Sequence, residues 1–555
     1  MHIVLDRTHG DVRATTVSDS DEIVRVDTVA DLAAFVADRE REHPRWVWDD
    51  TSRWYPQLLA AGVRVDRCFD LRLCHAILRA SSLTADSDLA LAGTGPWDAP
   101  PQQSGQVVSR PSHSTLFDLD QTSTRNEGAD ADGVAEFQLQ RAAVAGCPEP
   151  ARIGRLLAAE SAGSLVAAEM RFAGLPWSSA QHDAILTAFL GPRPAVDGAR
   201  PQKLQAALDL VRSRLEAPEL NPDSPADLMR ALGLAGLQVS STRSWELRKL
   251  KHPAIEPLLE YKKLARLLAS NGWVWRDTWV VNDRFRPDYV PGGAATGRWA
   301  TSGGGALQLP RQIRAAVVAD DGWKLVVADA SQLEPRILAA MAGDRGMIEA
   351  GSAGDLYAGI VASGAVETRD QAKVAMLGAM YGATTGESGR LMPKLARAYP
   401  RAISMVESAA RAGERGEVVT TRLGRSSAPG SSNGSWSEGV SSADATRARE
   451  RSRAWGRFTR NFIVQGTAAE WALCWMASIR RRMDDLNDHG VLTDGPHLVF
   501  FLHDEVVVHA PAHLADRVAA EINEAAAEAG RLLFGALPAE FPLTIAIVDD
   551  YGQAK

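Results

Sequence analysis

Cysteine is scarce: there are four in 555 residues, Cys68, Cys74, Cys147 and Cys474, and none forms a C-x-x-C pair. That argues against a disulfide scaffold or a zinc site and makes reduced thiols in the cytoplasm the expectation. No apolar run reaches about twenty residues, so no membrane span is expected. The start, Met1-His2-Ile3-Val4-Leu5-Asp6, lacks the basic stretch and apolar core of a secretory leader. Net positive charge is missing as well, the formal charge being −8. A nucleic acid would therefore have to be met by local clusters of cations. What is present is an ordinary globular composition, 45% hydrophobic and 23% charged, with length for roughly three or four domains.

Residues 1–80 read as mixed α/β, with a helix from Asp31, a strand at 46–48, and helices at 54–59 and 71–78. Residues 81–133 lose periodicity and read as a long loop or disordered insert. Helical periodicity returns near 135 and persists to about 270. The stretch 153–170 reads as amphipathic, 202–215 and 226–234 as further helices, and Ser240-Ser241-Thr242 as a helix cap. The stretch 255–268 sets Leu258, Tyr261, Leu264 and Leu267 against Lys262, Lys263 and Arg266. Those cations read equally as a solvated face or an anion contact. Segments 273–275, 278–281 and 315–318 read as strands, 337–412 as helices and 426–445 as a second Ser/Gly-rich loop. Arg447, Arg449, Arg451, Arg453, Arg457 and Arg460 share one predicted helix. They are a solvated face or a local basic patch that the global charge conceals. Segments 498–502 and 506–508 form a hairpin tipped by His503-Asp504-Glu505. A helix at 513–533 and a strand at 543–547 follow.

The run Leu325-Val326-Val327-Ala328 ends in Asp329. A buried strand delivering a carboxylate can build a metal site, but a lone strand-end acid is as readily a turn residue. Asp504 and Glu505 are acids of the same kind. Brought together, such carboxylates can hold two divalent ions about 4 Å apart, which activate an attacking oxygen and stabilise a leaving one. Mg²⁺ suits oxygen donors and phosphate substrates. Arg369, Lys373, Leu377 and Tyr381 stand at i, i+4, i+8 and i+12, a slowly winding stripe on one helix. Cations at one end and an aromatic at the other suit the phosphates and base of a nucleotide; an ordinary amphipathic helix is the alternative. Gly382 ends or bends that helix. Arg457, Asn461 and Gln465 repeat the spacing. They offer donors to minor-groove acceptors shared by all base pairs, or form a structural polar network.

Asp329-Ala330-Ser331-Gln332-Leu333-Glu334-Pro335-Arg336 resembles motif A of family A DNA polymerases, the bacterial DNA polymerase I family, usually DYSQIELR. Arg369-x3-Lys373-x3-Leu377-x3-Tyr381-Gly382 resembles motif B, and His503-Asp504-Glu505 resembles motif C. Thr296-Gly297-Arg298 with Leu307-Gln308-x-Pro310 is similar to the TGR…LQNIP segment, and Gln465-Gly466-Thr467-Ala468 to QGTA. All five keep the family's order, and the resemblance covers about 150–555. It implies an α+β polymerase right hand. The palm would be an antiparallel sheet (291–339 and 446–555), with helical fingers (340–445) and thumb (150–290). An N-terminal α/β exonuclease-like domain (1–149) would precede it. The resemblance implies a template-directed DNA polymerase adding dNTPs to a primer 3′ end. Asp329 and Asp504 would hold two Mg²⁺ ions, with Glu505 in support. Glu334 would exclude a ribose 2′-hydroxyl. Arg369 and Lys373 would grip the triphosphate, and Gln332, Leu377 and Tyr381 would complete the dNTP site. Arg298, Gln308, Arg457, Asn461, Gln465, His503, Lys263 and Arg266 would touch the primer–template. A monomer acting in DNA repair or replication gap filling is the expectation.

Departures from the pattern are specific. Ala330 stands where Tyr is usual, and Pro335 replaces Leu and should alter the start of the next helix. Leu377 replaces Phe or Tyr. Tyr357 falls where a DIH-type histidine is typical, and the LQNIP-like segment lacks its Asn. Residues 44–80 resemble the middle of the family's 3′–5′ exonuclease domain, yet no Asp-x-Glu strand is expected before them. Pro56 occupies the later aspartate position, and no Tyr-x3-Asp precedes residue 150. Asp49, Asp50, Asp130 and Asp132 lack that framework, so a shortened, inactive exonuclease-like domain without proofreading is expected. Two other readings stand beside the main one. Glu334 speaks against a single-subunit RNA polymerase; Asp329 and Asp504 speak against a catalytically silent DNA-binding protein.

Overall fold

The computed structural model describes residues 1–8, 10–98, 132–196, 198–383, 386–430, 442–487 and 490–554. Its N-terminal unit is a five-stranded sheet in the order Ile23–Val29, Asp11–Val17, His2–Thr8, Arg45–Trp48, Cys68–Asp70. The first three strands are antiparallel, and the last two run parallel to His2–Thr8. Strands therefore do precede Asp31, contrary to expectation. Their alternation is blurred because the Ile23–Val29 edge strand leaves Ile23, Val24 and Val26 exposed instead of hiding one face. Asp31, Asp50, Asp70 and Asp132 each cap the helix that follows with a side-chain oxygen.

The predicted insert at 81–133 is shorter at both ends. A helical turn spans Asp88–Leu91, a 3₁₀ turn spans Pro96–Asp98, and Gly133–Ala145 is already helical; residues 99–131 lie outside the described residues. The predicted loop at 426–445 contracts similarly. Ser426 bridges Thr420, and a 44-residue helix begins at Ser442; residues 431–441 lie outside the described residues.

The helix Pro150–Ala173 corrects the amphipathic reading, because both of its sides are buried. Its polar residues meet arginines, not water. Glu169 accepts from Tyr55 Oη at 2.5 Å and from Arg480 Nε and Nη2 at 3.0 and 2.8 Å. Arg480 also donates to the Asp66 carbonyl at 2.7 Å. Burial pushes the Glu169 carboxyl up, but Arg480 and Arg64 outweigh it and hold it below its usual range. Glu160 pairs with Arg425. Such pairs keep desolvated charges compensated, and they tie the N-terminal unit to the long helix Ser442–Asp485.

Three further expectations fail for identifiable reasons. Residues 273–279 are a helix, Trp273–Trp279, with only Val280–Val281 extended. The indoles of Trp273 and Trp275 donate to Asp183 and to the Gly304 carbonyl, both at 2.8 Å, so tertiary contacts override β propensity. The predicted strand at 315–318 ends a 3₁₀ helix, Arg311–Ala316, and only Val318 forms a bridge, to Asp550. Ser240 and Ser241 do not cap a helix. Their hydroxyls donate to Glu246 at 2.9 and 2.5 Å, and only the turn Ser244–Leu247 follows.

The second sheet is antiparallel, ordered His497–Leu502, Glu505–Pro511, Trp323–Ala330, Leu543–Val548. It is the sheet expected to carry Asp329 and Asp504. Val326, Val327 and Ala328 face Val508, Val507 and Val506, and the helix Ala515–Phe534 packs against it. Six helices from Leu333 to Glu414 follow the central strand. Among the described residues, no helix is long and apolar enough to cross a membrane.

At the far end of this sheet, His509 stacks on Trp323 with ring centroids 4.5 Å apart and meets His497 edge-on. Burial lowers His497 to about 4 and His509 to about 3. Both stay neutral in the folded protein, while the unfolded chain binds protons below about 6.5. Their contribution is therefore complete above about pH 6.5 and is lost as pH falls toward about 4. The urea midpoint of wild type should drop between pH 7 and pH 5, by on the order of 2 kcal/mol for each imidazole. In His497→Gln/His509→Gln that drop should shrink.

Candidate active site

Asp329 is the next-to-last residue of its strand, and the register sets it opposite Glu505 on one side and Thr544 on the other. A two-residue turn, His503-Asp504, closes the hairpin, with Leu502 paired to Glu505. His503 takes a left-handed φ of 61°, as such turns require. The Ala330 amide donates to the Asp504 carbonyl at 2.9 Å. This bond joins the two distant acidic segments, and it gives Ala330 a backbone role while its side chain is buried. Asp329 and Asp504 are half-buried, oxygen donors of the kind Mg²⁺ prefers.

Glu505 is only 2% exposed. Its Oε1 accepts from Arg314 Nη1 at 3.2 Å and from the Tyr551 hydroxyl. The Arg314 guanidinium lies 4.5 Å from the Tyr551 ring centroid. Burial and the Glu505 charge push the Tyr551 phenol far above its usual value. Sequence reasoning missed both partners: Arg314 read only as a cation before a strand, and no motif marks Tyr551.

Gln332 adopts φ 57° at the start of the helix Leu333–Ala342. Its Nε2 donates to Asp355 Oδ1 at 2.7 Å, and its Oε1 accepts from the Leu356 amide at 2.8 Å. Asp355 Oδ2 accepts from Arg369 Nε at 2.7 Å. Burial alone would raise Asp355, but the hydrogen bonds from Arg369 and Gln332 hold it at about 2. Asp355 thus clasps Gln332 to Arg369. The sequence reading passed over it, although Asp355-Leu356-Tyr357 was compared with a DIH-type segment at its last residue. Tyr357 lies under the Arg369 guanidinium, 5.5 Å from ring centroid to Cζ. Pro335 leaves the helix start intact, because it sits in the first turn where its missing N–H has no partner to lose.

The stripe Arg369, Lys373, Leu377 and Tyr381 is exposed along its whole length, while Ala372, Ala375, Met376, Ala379 and Met380 are buried. Gly382, at φ 76°, closes this helix, and a side chain there would meet Arg457 Cγ at 2.9 Å. Tyr381 Oη donates to Glu334 Oε2 at 2.8 Å, and Arg298 Nη2 to Glu334 Oε1 at 2.5 Å. Burial and the Glu334 charge raise Tyr381 to about 12, with Gln465 also beside its hydroxyl. Arg298, Gln332, Glu334, Leu377, His503 and Asp504 line one cavity of about 370 Å³, with Ala468 to Met476 of the long helix forming an apolar wall. Tyr381 joins this group through Glu334, and Arg369 through Asp355. Arg457, Asn461 and Gln465 follow on the long helix. Lys263, Arg266 and Gln308 lie apart, in a cleft of about 900 Å³ shared with Arg248, Lys262 and Gln312. Lys263 also pairs with Glu260 at 3.3 Å.

The N-terminal acids are otherwise committed. Asp49 pairs with Arg53 and accepts from Trp54 Nε1 at 2.6 Å. Asp50 and Asp132 cap helices, and Pro56 sits inside the helix Thr51–Ala60. Asp6, on His2–Thr8, was not foreseen. Burial raises it to about 6; Arg13 opposes this, and the charges of Asp132 and Asp49 add to it. Asp130 lies outside the described residues.

Comparison with known proteins follows the same outline. The chain is 27% identical over 351 residues to the thermostable DNA polymerase I of Thermus thermophilus, covering 58% of this chain and 39% of that protein. It is 28% identical over 321 residues to DNA polymerase I of Chloroflexus aurantiacus, covering 53% and 32%. The matches thus span about a third to two-fifths of the length of these curated relatives. Among solved structures, the chain resembles the POL domain of Pol1 from M. smegmatis, in complex with DNA primer-template and dNTP. The TM-score is 0.67 at 19% identity, over 100% of this chain and 95% of that one. That likeness shows the fold, the mixed α+β polymerase hand with an N-terminal sheet domain. The model of DNA polymerase family A matches residues 202–547, more than half of the chain: the chain belongs to DNA polymerase family A.

Proposed function

We propose that the chain is a template-directed DNA polymerase that extends a primer 3′ end with dNTPs by two-metal nucleotidyl transfer, in DNA repair or gap filling. The observation that carries this is the convergence of Asp329 and Asp504, through the Ala330–Asp504 bond of 2.9 Å, beside the Glu334–Arg298–Tyr381 network. When bound, Mg²⁺ on Asp329 and Asp504 would lower the barrier by activating the 3′-oxygen and stabilising the departing pyrophosphate. Arg369 and Lys373 bring positive charge to the triphosphate, and Asp355 orients Arg369 for it. Both Glu334 oxygens are engaged, by Arg298 and Tyr381, so the carboxylate is a fixed wall and not a free acceptor for a 2′-hydroxyl. The cleft with Lys262, Lys263, Arg266 and Gln308 is the channel for product duplex, between a thumb over about 150–290 and a palm over 291–339 and 446–555. The fingers occupy 340–445. Proofreading is absent, because Asp49, Asp50 and Asp132 already serve caps and ion pairs.

Primer extension on a gapped template with Mg²⁺ tests the main reading. Asp329→Ala should lose on the order of a thousandfold in rate while still binding DNA. Wild type that extends no primer, and binds DNA no differently from Asp329→Ala, would leave a silent DNA-binding protein. Glu334→Ala should raise rNTP relative to dNTP incorporation by about a hundredfold, measured as the ratio of kcat/KM values on one primer–template. A mismatched 3′ end incubated without dNTPs should stay intact; robust metal-dependent trimming would overturn the inactive-exonuclease reading.

A further inference from the structure

The polar stripe of the long helix does not stop at Arg457. Two further steps of four residues lead to Arg453 and Arg449 on the same unbroken helix, Ser442–Asp485. Each such step turns about 40° beyond a full turn. Arg449, Arg453, Arg457, Asn461 and Gln465 therefore form one slowly winding ridge. The opposite side of the helix is occupied. Ser452 donates to the Glu414 carbonyl and Thr459 to the Ala409 carbonyl, both at 2.7 Å. Gly456 lets Glu414 pack close, 2.6 Å from where a Cβ would stand. The ridge thus faces away from the helix Pro400–Glu414, and Arg449, Arg453 and Arg457 are exposed on it. Glu450 is the exposed acid among them. These cations sit in the N-terminal part of the helix, where the backbone dipole gives positive charge no stabilisation. Helix stability does not account for them.

The inner end of the ridge is fixed by the site. Gln465 lies beside Tyr381, and the next turns line the cavity with Asp504. At 1.5 Å per residue, Arg453 and Arg449 stand about 18 and about 24 Å further along the axis from Gln465. The basic cleft of Lys262, Lys263 and Arg266 contains no residue of this helix. The site therefore has two separate cationic exits, one a wide cleft and the other a single ridge. A template strand beyond the insertion site is single, flexible and polyanionic, and a row of exposed arginines along one helix matches it. Resting on the polymerase reading above, we infer that Arg449 and Arg453 bind phosphates of the uncopied single-stranded template on the 5′ side of the insertion site.

The test is equilibrium anisotropy with the full chain and no dNTP, on primer–templates that share one duplex and carry template overhangs of about one or about ten nucleotides. Wild type should bind the long overhang more tightly. Arg449→Gln/Arg453→Gln should lose about fivefold to tenfold on the long overhang at moderate salt, with its salt slope lower by about 1.4. Its affinity for the short overhang should stay within about twofold. Arg449→Lys/Arg453→Lys should keep most of the gain, because a phosphate track needs charge more than geometry. Equal binding of both overhangs by wild type and the Gln variant would make the ridge a solvated face and overturn the inference. Equal loss on both overhangs would assign the arginines to duplex contact or folding and overturn it as well. Binding needs no catalysis, so an inactive wild type with an overhang-dependent gain refutes the polymerase reading alone. An active one without the gain refutes the track alone.

Discussion

Everything at the candidate site depends on one strand pairing, Trp323–Ala330 against Glu505–Pro511. Its register sets Asp329 opposite Glu505, with Val326, Val327 and Ala328 facing three valines. Side chains alternate along a strand, so a slip of one residue would turn Asp329 into the core and bring a valine or alanine to the surface. The buried valines therefore fix the position of a carboxylate they never touch. The Ala330 amide then donates to the Asp504 carbonyl, and the hairpin turn is pinned against the end of the neighbouring strand. Two acids far apart in sequence meet because an apolar sheet allows only one alignment.

Buried charge pairs hold the surroundings of that sheet. Glu505 with Arg314, Glu169 with Arg480, and Glu160 with Arg425 each place a carboxylate against a guanidinium away from water. An unpaired member would carry a large desolvation cost, so these contacts resist rearrangement. Glu169 and Arg480 reach Tyr55 and the Val65–Asp66 backbone, which makes the N-terminal unit part of the frame. The nucleotide-facing groups are held more lightly. Asp355 shares Arg369 and Gln332 at the surface, where a triphosphate can compete for the guanidinium.

Much of this was legible in the sequence, for physical reasons. The valine run ending in Asp329, the hairpin around Asp504 and the four-residue spacing from Arg369 to Tyr381 are local patterns, and each forms the predicted element. Gly382 ends its helix as its freedom at positive φ predicts. What stayed hidden depends on contacts between distant segments. Tyr551 and Arg314 become partners of Glu505 only once the sheet is built. Trp273–Trp279 reads as extended until its indoles find Asp183 and Gly304. The polar residues of Pro150–Ala173 read as a wet face because the arginines that meet them lie hundreds of residues away. The first three strands escaped because one edge of their sheet is exposed, which erases the alternation that would mark them.

The central claim is that Asp329 and Asp504 together form the metal site. A crystal structure with primer–template, an unreactive dNTP analogue and Mn²⁺, read by anomalous scattering, tests it most directly. The account predicts manganese peaks within coordination distance of both the Asp329 and Asp504 carboxylates, with Glu505 still held by Arg314 and Tyr551. Ordered DNA and nucleotide with no manganese at those two carboxylates would contradict it.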